Sequence, residues 1–437
     1  MTADDGKHNF WAFGIAIFFF GMAIAGFMNI NTIIPAFAAR LGAPPILVGS
    51  MVAIVHVAWN LPQVFAGNIV SRAERKKPVL LGVIFTIRPL IILFAVLVFV
   101  VGGSAPWLIL VALIGLLVVF FGGDAFAAMA WLDLLGKAFS TEKRSGFIGT
   151  WLMLRSGGIV LVSGLIGIIL AQIEFPYNYG ALFGLAGISM MISALSTTRI
   201  REVPAPEGQQ SSITVPWRGF LPHLLRLWRD DKRFSSSTLG RIIFFLSMMS
   251  YPFYVTYATI ELNMPDATIS LFVLAQTLGM MASSFLLGRL GDRLGTHRVI
   301  FIGTLLALSG HALMLMVVLL GLGSGTLVTA LLVWIYVCTA VGDNVRILGY
   351  TVYTLDIAPA NQIPIYMGTA GTLGAIGMLG PTLGGWILEV TSYAGLFSFA
   401  LLVTLLSMWI ALRLPSSRSS LIAEPTTTHP LPTVTGK

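Results

Sequence analysis

The chain has 437 residues, of which 56% are hydrophobic and 10% charged, with a mean hydropathy of +0.89 and a net charge of +8. A soluble domain carries about 25% charged residues, so a water-soluble globular protein is excluded and a polytopic membrane protein is expected. The single cysteine, Cys338, excludes an internal disulfide framework and a cysteine-rich metal site.

No cleavable signal peptide is expected. Asp4 and Asp5 stand beside a lone Lys7, and the apolar run that follows is long enough to span. A bilayer core takes about 20 apolar residues per helix. Twelve runs reach that length, at 10–37, 46–70, 78–102, 106–133, 147–172, 179–198, 236–261, 266–288, 299–323, 325–355, 364–388 and 392–413. They are continuous and lack the alternation of barrel strands, so helices are expected. We number them spans 1 to 12. Outside them, Arg40 is the sole Lys or Arg in the connections after odd-numbered spans, whereas the alternate connections and both ends are basic. The positive-inside rule then puts both termini in the cytoplasm, in an inner membrane. It also accounts for the basic charge without nucleic acid.

The expected organisation is an N-terminal six-helix bundle at 1–198, a cytoplasmic linker at 199–235, a C-terminal six-helix bundle at 236–414 and a disordered tail at 415–437. The linker contains REVPAPEGQQSS and then PWRGFLPHLLRLWRDDKRF. In the second stretch Trp217, Phe220, Leu221, Leu224, Leu225 and Trp228 share a helical face, apart from the basic residues. An amphipathic helix on the inner membrane surface is expected there.

The halves repeat. Gly67 to Gly82 and Gly288 to Gly303 both join spans 2 and 3 of their half, and Gly123-Asp124 in span 4 is matched by Gly342-Asp343 in span 10. Repeated halves are a transporter architecture with a site between them near the midplane. The stretch Gly288-x-Leu290-x-Asp292-Arg293-x-Gly295-x-His297-Arg298 resembles the loop signature of the major facilitator superfamily. The first copy has Ser71 at the acidic position. Gly380-Pro381 with Gly377, Gly384 and Gly385 is similar to a signature of proton-driven drug antiporters, displaced here to span 11. The resemblance implies an all-α membrane protein of twelve transmembrane helices in two pseudo-symmetric bundles. It also implies that spans 1, 4, 7 and 10 line the cavity. Asp292 would face the inner end of span 5, near Gly146, as a cytoplasmic latch. Gly288, Asp292, Arg293, Gly295 and Arg298 form the candidate gating loop.

An ionised group at mid-bilayer costs about 2.5–3.5 kcal/mol, so Arg88, Asp124, Arg155, Asp343 and Arg346 are expected to pair or to face a wet cavity. Asp124 has Arg88 and Arg155 as candidate partners at similar depth. Asp343 and Arg346, i and i+3, can pair directly. Arg241, about five residues into span 7, is expected to snorkel to the inner surface. Polar stripes add cavity candidates: Asn29 and Asn31 with Thr32 on span 1, His56, Asn60 and Gln63 on span 2, Tyr254 and Tyr257 on span 7, Gln276 on span 8, and Tyr350 with Tyr353 below Arg346 on span 10. Such stripes also serve as interhelical hydrogen-bond glue.

The expected function is secondary active transport of a small organic solute by alternating access. Proton coupling is expected through Asp124 or Asp343, and efflux of amphiphilic compounds is favoured over uptake. A sensor that binds without net transport is the alternative. An enzyme is not expected: the six histidines lack ligand spacing, and no G-x-S-x-G or H-E-x-x-H occurs. No P-loop occurs either, so no cofactor is expected and an ion gradient supplies the energy. The partners expected are a small-molecule substrate and lipid, with the chain a monomer.

Overall fold

The computed structural model describes residues 3–63, 73, 75–138, 141–202, 226–359 and 362–416. All regular structure among them is helical. Eleven helices are long and apolar enough to cross a membrane, and span 2 is described as the shorter helix Pro45–Asn60. Side chains such as Leu93, Val100, Val111, Leu286 and Leu319 are exposed on the outer surface, where acyl chains replace water. The protein is a multi-pass integral membrane protein with the twelve-helix, two-bundle architecture. The linker stretch at 203–225, including most of the expected surface helix, and the tail beyond 416 lie outside the described residues. So do residues 64–72, the far end of span 2.

The first described helix begins and the last one ends at the same face of the bundle, here called the terminal face. The N-terminal half packs around an aromatic cluster in which Phe27 touches Phe120 and Phe183, and Phe37 touches Phe94 and Tyr179. In the C-terminal half Tyr254 packs on His311 and Phe397, and His311 bonds the Ser247 carbonyl of span 7 at 3.0 Å.

Several spans are interrupted where the sequence read them as continuous, and the causes are local. Span 1 consists of Ala3–Gly26 and Ile33–Arg40, unwound at 27–32. The Asn29 carboxamide accepts the backbone N–H of Asn31, which competes with the helical pattern. Pro35 has no N–H to give the Asn31 carbonyl. That carbonyl instead accepts the hydroxyl of Tyr336 from the other half, at 3.4 Å. Span 3 divides at Pro89 into Lys76–Ile87 and Pro89–Val101. Span 7 passes from Lys232–Ser247 through a 3₁₀ turn, Met248–Ser250, into Tyr251–Thr256, which carries Pro252. It ends in a π-helical turn, Tyr257–Glu261. Span 10 is Thr326–Asn344, then π-helix over Val345–Thr351, then Val352–Ile357. Span 11 divides near Gly377 and Gly380 into Ile363–Gly377 and Gly380–Val390, the second carrying Pro381.

The polar stretch expected as a hinge loop is mostly helix. Span 8 continues to Leu294 and span 9 starts at Thr296. The turn rests on Gly295, whose φ of 88° lies in the region other residues avoid. Gly288 has open space beside it and makes no close helix contact. At the terminal face, the Glu202 carboxylate caps span 3 by accepting the backbone N–H groups of Lys76 and Lys77 at 2.7 and 3.1 Å. Asp231 caps span 7 and accepts the Tyr366 hydroxyl of span 11 at 2.8 Å.

Candidate functional site

The two halves meet around a cavity of about 40 Å³. It is lined by Ile30 and Asn31 of span 1, Val52 and His56 of span 2, and Phe245, Met248, Tyr251 and Pro252 of span 7. Asp343 and Arg346 of span 10 and Met378 and Pro381 of span 11 complete it. The chain breaks explain why these side chains converge. Unwinding span 1 at 27–32 turns Asn31 to the cavity. The 3₁₀ turn and Pro252 turn Tyr251 inward, where Gly342 leaves room for its hydroxyl at the place a β-carbon would occupy. The cavity is far smaller than the ~300–1,000 Å³ of ligand pockets, so the two halves are closed on one another around it.

Above the cavity the face opposite the termini is closed. Arg40 at the end of span 1 and Asp266 at the start of span 8 form an ion pair at 2.6 Å. The Glu389 carboxylate of span 11 accepts the Ile46 N–H of span 2 at 2.9 Å. Spans 2 and 11 run antiparallel in close contact. Gly49 packs on the Pro381 carbonyl, and Gly385 on the Pro45 carbonyl. Either contact would be filled by a β-carbon. On the other side of the cavity, Asn60 lies 3.8 Å from the Met378 sulfur and donates to its own helix at the His56 carbonyl.

The expected residues divide. Asn31, His56, Asp343 and Arg346 share the cavity, and Asn60 and Gln276 stand at its margin. Gln276 is a hydrogen-bond neighbour of Asp343. Asn29 is engaged locally with Asn31, and Gln63 lies beyond the helix Pro45–Asn60 with its amide nitrogen buried and unbonded. Tyr254 and Tyr257 do not line the cavity. Tyr254 bonds Ser250 at 3.0 Å, and both rings face Phe397 of span 12. The change of helix type beside Ser250 moves them off the face that a regular helix would give them. Tyr350 is likewise turned away, packed on Phe244 and beside Ser407 of span 12. The wider π turn at Val345–Thr351 breaks the stripe expected from Asp343 through Tyr353, and Tyr353 bonds the Pro415 carbonyl. Tyr251, at the edge of the expected span 7 stripe, is the tyrosine of the cavity.

The buried charges also differ from expectation. Asp343 and Arg346 act on each other electrostatically without an ion pair within 4.0 Å, and Gln276 is a further polar neighbour of Asp343. Among the described residues Arg346 makes no side-chain hydrogen bond. Asp124 has Arg88 as its charged neighbour, rather than Arg155, and Trp59 as its hydrogen-bond neighbour. Arg88 donates to the Met190 carbonyl at 3.0 Å, so the two groups are held apart from direct contact. Arg155 is half-buried on span 5, where its backbone carbonyl meets Gly21 of span 1. Arg241 does not snorkel. Its guanidinium lies over the Phe245 ring at 5.2 Å and against Gly374 of span 11, with Nε buried and unbonded. The gating candidates Asp292, Arg293 and Arg298 are exposed at the terminal face. The side chains near Gly146, where Asp292 is expected to latch, lie outside the described residues. No group of three His, Cys, Asp or Glu able to hold a metal ion occurs among the described residues.

Two helical bundles meet around a central cavity, an architecture found in transporters. The C-terminal half, residues 237–435, matches the model of the Major Facilitator Superfamily. The fold is similar to that of a bacterial homologue of the iron transporter ferroportin in an inward-facing state, at TM-score 0.71 and 14% identity over 95% of this chain and 99% of that one. It is also similar to nucleoside transporter NupG (0.69, 13%, 93% and 99%) and to a D-xylose-proton symporter (0.68, 13%, 95% and 99%). No curated protein matches the chain. The C-terminal half is thus similar to the Major Facilitator Superfamily, and the whole chain shares its fold with these solved transporters, with no subfamily assigned.

Proposed function

We propose that this protein is a secondary active transporter that moves a small organic solute by alternating access. The observation that carries the reading is the cavity lined from both halves by Asn31, His56, Tyr251, Asp343 and Arg346, and closed at one face by the Arg40–Asp266 pair. The distribution of Lys and Arg supports cytoplasmic termini in an inner membrane, which makes the closed face the outer one. Met248, Phe245 and Met378 give the cavity an apolar side. An amphiphilic solute suits this mixture, and export is read as the direction.

Coupling is to protons. Asp343 is the carboxylate in the cavity, facing Arg346 on its own span, Gln276, Tyr251 and His56. Asp124 is a second buried carboxylate, on span 4 and outside the cavity lining. A carboxylate whose charged partner moves away in a dry site takes up a proton, and regains its charge when the partner returns. Solute counterflow into vesicles tests the reading. Labelled solute is expected to accumulate when unlabelled solute fills the vesicle and a pH gradient is imposed. Binding to purified protein without any flux would overturn transport. Asp343→Asn is expected to abolish pH-driven accumulation while exchange persists. Unchanged pH-driven accumulation would remove Asp343 from the coupling.

A further inference from the structure

We infer that the solute is an organic anion, a carboxylate or its phosphate or sulfonate equivalent, held between Arg346 and Arg241. This rests on the transport reading above and names the chemistry of the same site. Neither arginine has an ion-pair partner or a side-chain hydrogen bond among the described residues. Each guanidinium carries five N–H donors and no acceptor, so many donors are left for a ligand. Arg346 lines the cavity. Arg241 lies one turn towards the terminal face from Phe245, with its guanidinium over that ring at 5.2 Å, and Phe245 and Arg346 line the same cavity. The charged or polar groups acting on Arg241 are Arg346 and Tyr350, and neither is anionic at neutral pH. Asp343 is the sole acid among the cavity-lining residues, and it makes no ion pair with Arg346 within 4.0 Å. Two like charges in a poorly hydrated site are costly unless an anion offsets them.

The geometry also sets an order of contact. An anion entering from the terminal face passes Arg241 before it reaches Arg346. Phe245 and Met378 supply an apolar wall beside the two cations, and Tyr251 and Asn31 supply neutral hydrogen-bonding groups. The planar fork of arginine matches a carboxylate with two parallel bonds. Asp343 competes for the same guanidinium as the solute.

Matched probes test this without knowledge of the native solute: benzoate against benzamide, succinate against succinamide, and benzylamine as the cation. Thermal shift of the purified full chain reads binding. The carboxylates are expected to raise the melting temperature and their amides to leave it unchanged. Arg346→Gln and Arg241→Gln are each expected to remove the shift. Asp343→Asn is expected to tighten carboxylate binding by about tenfold, as an anion is removed from beside the ligand. A merely structural arginine would not produce that opposite response. If Arg346→Gln fails to fold, Arg241→Gln and Asp343→Asn still decide. Carboxylates that bind no better than their amides, or benzylamine bound in preference, would overturn the anion inference. The failure is separable from that of the transport reading by counterflow. Amide or amine carried across vesicles sinks the anion alone. Carboxylate bound but never carried sinks transport alone.

Discussion

Replacing Arg40 by Gln removes one side of the bond that closes the face opposite the termini. An exposed ion pair is worth about 0.2–1 kcal/mol. Stripping the partner from a buried charge costs about 3–5 kcal/mol. Here the side chains are 33% and 8% exposed, so the pair falls between these cases. When the face opens, Asp266 meets water and needs no partner. Arg40→Gln therefore raises the closed state by about 2 kcal/mol relative to the open one, roughly a thirtyfold change in their ratio. Maleimide labelling measures it. The native Cys338 is buried, and a cysteine introduced by Ala43→Cys sits beside the seal, where Ala43 is 9% exposed. Labelling of that cysteine is expected to speed up in Arg40→Gln. It should return towards the original rate when Arg40→Asp is combined with Asp266→Arg. An unchanged rate in Arg40→Gln refutes this pair as a closing bond.

Four further outcomes are expected. Gly49→Val and Gly385→Val push a side chain into a proline carbonyl across the seam, so solute counterflow should be lost while the purified protein stays monodisperse. Arg88→Met leaves Asp124 buried without its charged neighbour and should cost about 3 kcal/mol in detergent unfolding. Adding Asp124→Leu should recover that stability without restoring pH-driven flux. Gly295→Ala puts an L-residue at φ 88° and ψ 156°, a region essentially confined to glycine that costs about 1–3 kcal/mol, read as a lowered melting temperature. If Asp292 latches the terminal face, Asp292→Asn should increase labelling of a cysteine introduced at that face, and no change would leave it a residue of the helix end.

The spans, their number and the two-half plan are legible because each rests on a local rule. Twenty apolar residues cross a bilayer wherever they occur. The buried charges are also legible, since an ionised group inside a span demands a reason. The facing of particular side chains is not, because stripe reasoning assumes one uninterrupted helical pitch. Tyr254, Tyr257 and Tyr350 were expected at the cavity on that assumption. A 3₁₀ turn and a π turn shift the register and send all three towards span 12. A partial signal was present. Pro35 and Pro252 each remove a backbone donor inside a span, and Asn29 and Asn31 supply competing side chains. The partner of Asp124 was undecidable between Arg88 and Arg155 by depth alone, since depth says nothing of rotation about the helix axis. The seam between spans 2 and 11 was legible in principle from one spacing, Pro-x-x-x-Gly, which occurs at 45–49 and again at 381–385.

That repeated spacing makes the seam self-complementary. Each helix offers a proline carbonyl and, one turn on, a bare glycine, and each receives the same from its antiparallel partner. Such a contact is isologous, the kind by which identical subunits associate about a two-fold axis, although here a single chain provides both sides. No side chain interlocks at these points. The two helices can therefore roll on one another like cylinders in a bearing, and a change of tilt need not break a knob out of a hole.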